Sequence, residues 1–326
     1  MPLNSKSARY LISTLLVFGI ASARAQDATM PPTKSSESVT VTGIKPSQAA
    51  IKKFLEVMTV PTRATGKLTR WKDGVCPLVL GVRPEVEAVL VKKIRDVAAE
   101  VGAPVNASDG CPNNIEVIFT AEPQALLDNV RIMHPNLLGY FDNSAQAEKL
   151  ATMRLPIQSW YITATVDFHG QEVVDGARKG GVRITMAIPQ AGTGGPPTAP
   201  DMVTLNLPDA TVANAASGRL GDGVSSAISN VMIVADTSKL LNSDIYALAD
   251  YIALLALSQT QPPDSCQELP TILNLLVKDC GRAAGALTVA DMAYLRALYK
   301  ITMTAHAPGQ RDEMMYQMNK ALGASQ

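Results

Sequence analysis

The chain has 326 residues, 47% hydrophobic, 18% charged and 5% aromatic, with 29 basic and 29 acidic side chains. That length and apolar content suffice for one substantial buried core, and the balanced charge excludes the basic footprint of a nucleic-acid-binding protein. Beyond the N-terminus, no apolar run reaches the roughly 20 residues that a membrane-spanning helix needs.

Residues 1–25 read as a secretory signal peptide. Lys6 and Arg9 give the positive start, Tyr10–Ile20 the apolar segment, and Ala23-Arg24-Ala25 a small-residue cleavage site. An exported product, periplasmic or secreted, is therefore expected. Cleavage removes three basic residues and no acid, which leaves the remainder acidic overall. Residues 26–46 are Ser, Thr, Pro and small side chains without periodicity, the composition of a disordered linker. Residues 47–326 then form a single globular α+β domain, with a sub-boundary near residue 150 as the alternative.

From Ser47, a plausible helix cap, Ala50, Ile51, Phe54, Leu55 and Met58 recur at helical spacing and predict a helix to Met58. A short extended piece at Leu68–Trp71, with Trp71 in the core, precedes a strand at Cys76–Gly81. Pro84 opens a second helix with an apolar stripe at Val86, Val89, Leu90, Ile94, Val97 and Ala98, and Gly102 ends it. Ile115–Thr120 is a buried strand, and Pro123–Met133 a helix. This alternation predicts a mixed sheet with helices packed on one face.

Farther on, Trp160, Ile162, Ala164 and Val166 alternate along Pro156–Phe168, which predicts a strand with a polar opposite face. Val182–Pro189 is a second strand, expected to pair with the first across a long Gly-rich hairpin loop. Gln190–Pro200 reads as an exposed loop, because its glycines lack the strand-to-helix setting and the lysine of a phosphate cradle. Met202–Leu207 and Val231–Ala235 are further strands, with Ala210–Ala216 open between helical turn and loop. Ile245–Gln259 is the most apolar helix-like run after the leader, with Ser243 or Asp244 as its cap. Leu287–Ile301 is amphipathic, and Gly309–Leu322 carries a Met314, Met315, Met318 and Leu322 stripe that reads as core packing.

Four cysteines, Cys76, Cys111, Cys266 and Cys280, allow three pairings. Cys76–Cys111 with Cys266–Cys280 is favoured because each pair falls within one half of the chain. No C-x-x-C pair supports a four-thiolate zinc site.

Leu287-Thr288-Val289-Ala290-Asp291, followed by Leu295-Arg296-Ala297-Leu298-Tyr299, comes after an apolar helix and the turn Pro270-Thr271-Ile272-Leu273. In this order the C-terminal third resembles the zincin metallopeptidases, metzincin-like ones above all, and secreted bacterial proteins of unknown function that share the layout. The resemblance covers roughly residues 231–299 and implies a zincin-like arrangement in the C-terminal half. It would put the family's metal ligands at Ala249, Ala253 and Gln259, its catalytic glutamate at Asp250 and its glycine at Ala256. Methyl groups do not coordinate zinc and a neutral amide is a poor ligand, so the resemblance implies the fold with its metal site lost. Asp250 is then only a weak catalytic candidate, with no metal-activated water to act on. A Cys266–Cys280 bridge would brace the turn where an active relative has its metal.

Chemistry elsewhere has thin support. His134, His169 and His306 are not at ligand spacing, and no G-x-S-x-G elbow exists. Ser225 and Ser226 lack a nearby base in sequence, while Asp167, Glu172 and Asp175 read as a solvated rim that would otherwise pair as acid and base. The expectation is an exported, non-catalytic pseudo-metallopeptidase-like protein that binds a peptide, protein or cell-envelope partner and needs no cofactor. The alternative is a hydrolase whose metal-independent Asp/Ser site is assembled from distant residues.

Overall fold

The computed structural model describes residues 46–108, 110–176, 223–241 and 243–323, with the backbone of two strands at 182–188 and 201–207. The leader, the linker to residue 45, and the segments read at Gln190–Pro200 and Ala210–Ala216 lie outside the described residues.

Helix α1 (Gln48–Met58) starts where Ser47 Oγ accepts the Ala50 N–H, and it buries Ile51, Phe54, Leu55 and Met58 as expected. Strands β1 (Thr69–Trp71) and β2 (Pro77–Leu80) follow, then α2 (Pro84–Val101). Its first residue is the proline, and Gly102 closes it at φ 83°, a left-handed conformation that side chains resist. Next come β3 (Ile115–Thr120), α3 (Pro123–Met133), α4 (Ser144–Leu150), β4 (Ile157–Val166) and β5 (Glu172–Val174). Strands β6 (Val182–Ile188), β7 (Asp201–Leu207) and β8 (Ser225–Asp236) lead to α5 (Thr237–Leu240), α6 (Ile245–Leu257), α7 (Val289–Leu298) and α8 (Ala307–Leu322).

The main sheet has the order β2-β3-β8-β4-β5, with β1 beside the first half of β8. β1, β2, β3 and β8 are parallel, while β4 and β5 run antiparallel to their neighbours. The sheet is mixed, and β4 and β8 from beyond residue 150 sit in it with β2 and β3. The long hairpin is corrected. β4 turns back into the three-residue β5, and the Val182–Ile188 strand pairs instead with Asp201–Leu207 in a separate two-stranded sheet.

Helices cover both faces, not one. Ile115, Val117, Phe119, Val231, Ile233 and Ala235 join the core with α1, α2, α6, α7 and α8. The alternate residues Ile118, Met232 and Val234 join Leu126, Leu127 and Val130 of α3, with Trp160 and Ile162, on the other face. The polar opposite face read for β4 is corrected for the same reason: Ser159, Tyr161 and Thr163 are buried because that face is packed as well. Its register with β8 also shifts between Ile162 and Thr163, a bulge that breaks the alternation.

Both disulfides take the expected pairing, Cys76–Cys111 and Cys266–Cys280. The first ties the start of β2 to the loop before β3. The second encloses a 3-10 turn at Ile272–Leu276 whose Ile272 and Leu273 are fully buried. No helix among the described residues is long and apolar enough to cross a membrane.

Candidate functional site

Helix α6 is buried from Ala247 to Leu257, because β8, α2, α7 and the 3-10 turn surround it. A helix apolar on all sides needs such cover. Ala249 and Ala253 are 0% exposed and meet closed core with no cleft above them. The helix ends at Leu257 and Ser258 is already extended, so Gln259 lies past its last turn, with Oε1 buried and unpartnered among the described residues. Asp250 is buried too. Its carboxylate lies 3.0 Å from Lys93 Nζ and accepts the Leu287 N–H at 3.3 Å, two contacts that hold α2 and the α7 approach to this helix.

The Leu287–Asp291 segment is a structural lock. Thr288 and Asp291 form a capping box at the start of α7. Asp291 also accepts from Thr271 Oγ1 at 2.6 Å and Ile272 N at 2.8 Å, which fixes the turn below α6. Burial raises its pKa against the lowering effect of these hydrogen bonds.

The remaining sequence candidates are likewise engaged in holding the fold, except Ser225, whose hydroxyl has no partner among the described residues. Ser226 is buried and shares hydroxyl hydrogen bonds with Thr65 and Thr62, at 2.6 and 3.3 Å. The solvated rim is corrected for Asp167, while Glu172 and Asp175 stay partly exposed. Asp167 is buried and caps the β4–β5 turn by accepting from His169 N and Gln171 N, because this tight turn leaves those N–H groups without strand partners. Asp175 accepts from Thr163 and Thr165 hydroxyls at 2.6 and 2.7 Å, and Glu172 pairs with Lys72 at 2.7 Å. His169 stacks on Phe168 in that turn, His134 caps α3 and His306 precedes α8, so the three histidines stay apart. No three His, Cys, Asp or Glu side chains converge as a metal site among the described residues.

One buried acid has no counterpart in the sequence reading. Glu116 of β3 is 1% exposed, on the sheet face it shares with Ile118 and Met232. Burial pushes its carboxyl up to about 8, although the Asn230 amide donates to Oε1 at 3.2 Å. Glu116 Oε2 and Asn230 Oδ1 are left buried and without partners among the described residues. Two acceptors in that state are costly unless one carries a proton, so the geometry suits a neutral carboxyl.

A concavity lies elsewhere, along β4 ahead of the segment paired with β5. It is a groove of about 600 Å³ with a floor of Leu150, Leu155, Trp160 and Pro262 and a rim that includes Arg63, Lys149 and Arg154. Arg63 is taken up by Asp142 and the Gln146 amide oxygen, at 3.3 and 2.9 Å. Lys149 and Arg154 have no acidic partner among the described residues, and Asp264 is the acid on the lining. Gln261 donates to Ser159 O at 3.2 Å, which covers the outer edge of β4 against pairing with another strand. Gln146 Nε2 and Gln261 Oε1, both on the lining, make no hydrogen bond among the described residues.

No protein-family model, curated protein or solved structure matches the chain. The groove residues were missed because Arg63, Lys149, Arg154 and Gln261 come from four separate segments, three of them loops. Trp160 alone carried a signal, as the large aromatic of an alternating strand, and it points to core as readily as to a site.

Proposed function

We propose that the chain is an exported binding protein without catalytic activity, and that its groove along β4 holds an acidic, partly apolar peptide segment of a protein or cell-envelope partner. The observation that carries this reading is the pair Lys149 and Arg154, cationic and without acidic partners among the described residues, at the rim of an apolar floor that includes Trp160. Apolar floors bind, and a few placed charges select. The leader-like N-terminus and the two disulfides support export into an oxidising compartment. Under this reading the zincin-like order of segments in the C-terminal third is scaffold, with Ala249 and Ala253 as packing residues and Asp250 as a partner of Lys93.

An array of peptides about eight residues long, the span of an extended segment in such a groove, tests the proposal with the disulfide-bonded chain. Acidic peptides with apolar residues are expected to be retained over their Asn/Gln counterparts and recovered intact by mass spectrometry. Retention independent of charge, or cleaved products that track the protein, would count against it.

A further inference from the structure

A second concavity lies where β1 meets the start of β8. Its volume is about 370 Å³, and its lining brings Arg70 together with Trp71, Pro104, Val166, Ser225 and Met303. That size falls in the range of small-molecule sites.

Arg70 is the unusual member. It is half-buried, yet no acidic group pairs with it among the described residues. One Nη1 hydrogen goes to Leu298 O at 3.0 Å, at the carbonyl end of α7, and the guanidinium lies 5.9 Å from the Tyr299 ring centroid. Tyr299 is itself fixed by donating to Leu257 O at 2.8 Å. The guanidinium is thus held in place while Nε and Nη2 keep their hydrogens unassigned. Burial pushes the Arg70 pKa down, opposed by Tyr299, which is the electrostatic mark of a cation short of a counter-charge. Lys72, also on the lining, is already tied to Glu172 and Gly170 O, so the pocket offers one uncompensated positive charge. No carboxylate is among the lining residues, and the Ser225 hydroxyl has no partner among the described residues.

From this arrangement we infer that the pocket binds a small monocarboxylate with an apolar body. The carboxylate takes the planar fork of Arg70, a geometry that guanidinium matches with two parallel hydrogen bonds. Ser225 adds a donor, and Trp71, Val166, Pro104 and Met303 enclose the apolar part. The site is separate from the β4 groove and does not depend on what that groove binds.

The chain has two tryptophans, Trp160 in the groove and Trp71 in this pocket, so Trp160→Phe leaves an indole that reports on the pocket alone. Fluorescence titration of that variant with butyrate, phenylacetate, phenylacetamide and inorganic phosphate is the test. Phenylacetate and butyrate are expected to saturate the signal, with the amide and phosphate at least about tenfold weaker. Arg70→Lys keeps the charge but loses the fork, and weakens phenylacetate by a similar factor. Met303→Phe narrows the cavity without removing a side-chain hydrogen bond and is expected to do the same with an unchanged melting temperature. Absence of saturation by about 10 mM, equal binding of acid and amide, tighter binding of phosphate, or indifference to both substitutions overturns the inference.

Discussion

At position 116 a carboxyl group occupies a place that the surrounding sheet face would give to a neutral side chain. Its ordinary value of 4.5 is raised to about 8 by burial. Between those values the unfolded chain has released the proton and the folded chain still holds it, so stability falls as pH rises through this window and levels off above it. Glu116→Gln removes that cost. The variant is expected to be more stable than the parent by on the order of 3 kcal/mol at pH 7, with the difference gone near pH 4. Urea denaturation across that range measures it, and a destabilised Glu116→Gln at pH 7 would mean the group is ionised and paired in the fold.

Among the elements, α6 is the one on which a catalytic and a structural reading diverge most. As closed core, it leaves no room for an imidazole: Ala253 is 0% exposed, and a histidine there must displace packed neighbours and bury a polar ring. Ala253→His is expected to cost about 3 kcal/mol or more by chemical denaturation, with no rise in melting temperature on adding zinc. A zinc-dependent gain in stability would show that this face of the helix is open to a metal. Local signals made the helices readable in the sequence. Ser47, Pro84, Gly102, Asp244 and the Thr288/Asp291 box mark ends through hydrogen bonds a few residues long, and such marks survive without tertiary context. The strands were harder. β5 is three residues long and carries no periodicity, so the true partner of β4 had no signature, and the longer Val182–Ile188 run looked the better match. The second helical cover, from α3 and α4, was hidden because a strand buried on both faces and one buried on a single face differ only where polar residues such as Ser159 and Thr163 are themselves packed.

For the whole molecule, charge balance says nothing about where charges sit, and the site emerges only on folding. Lys149 comes from the last turn of α4, Arg154 from the link between α4 and β4, Arg63 from the link before β1, and Gln261 from the chain leaving α6. Each is an ordinary exposed polar residue in sequence, and it is the sheet that brings them around Trp160. The Asp residues and Ser226 that stood out in sequence are, by contrast, absorbed into turns, caps and strand contacts. Because Lys149 and Arg154 are exposed, their attraction for an acidic segment should weaken with added salt, while the apolar floor contributes independently of it. Calorimetric titration of an acidic, apolar-containing peptide into the disulfide-bonded chain and into Lys149→Glu/Arg154→Glu addresses the groove directly. The account predicts saturable binding that weakens with salt and falls about tenfold or more in the variant, with folding unchanged. Equal affinity in the two proteins would contradict it.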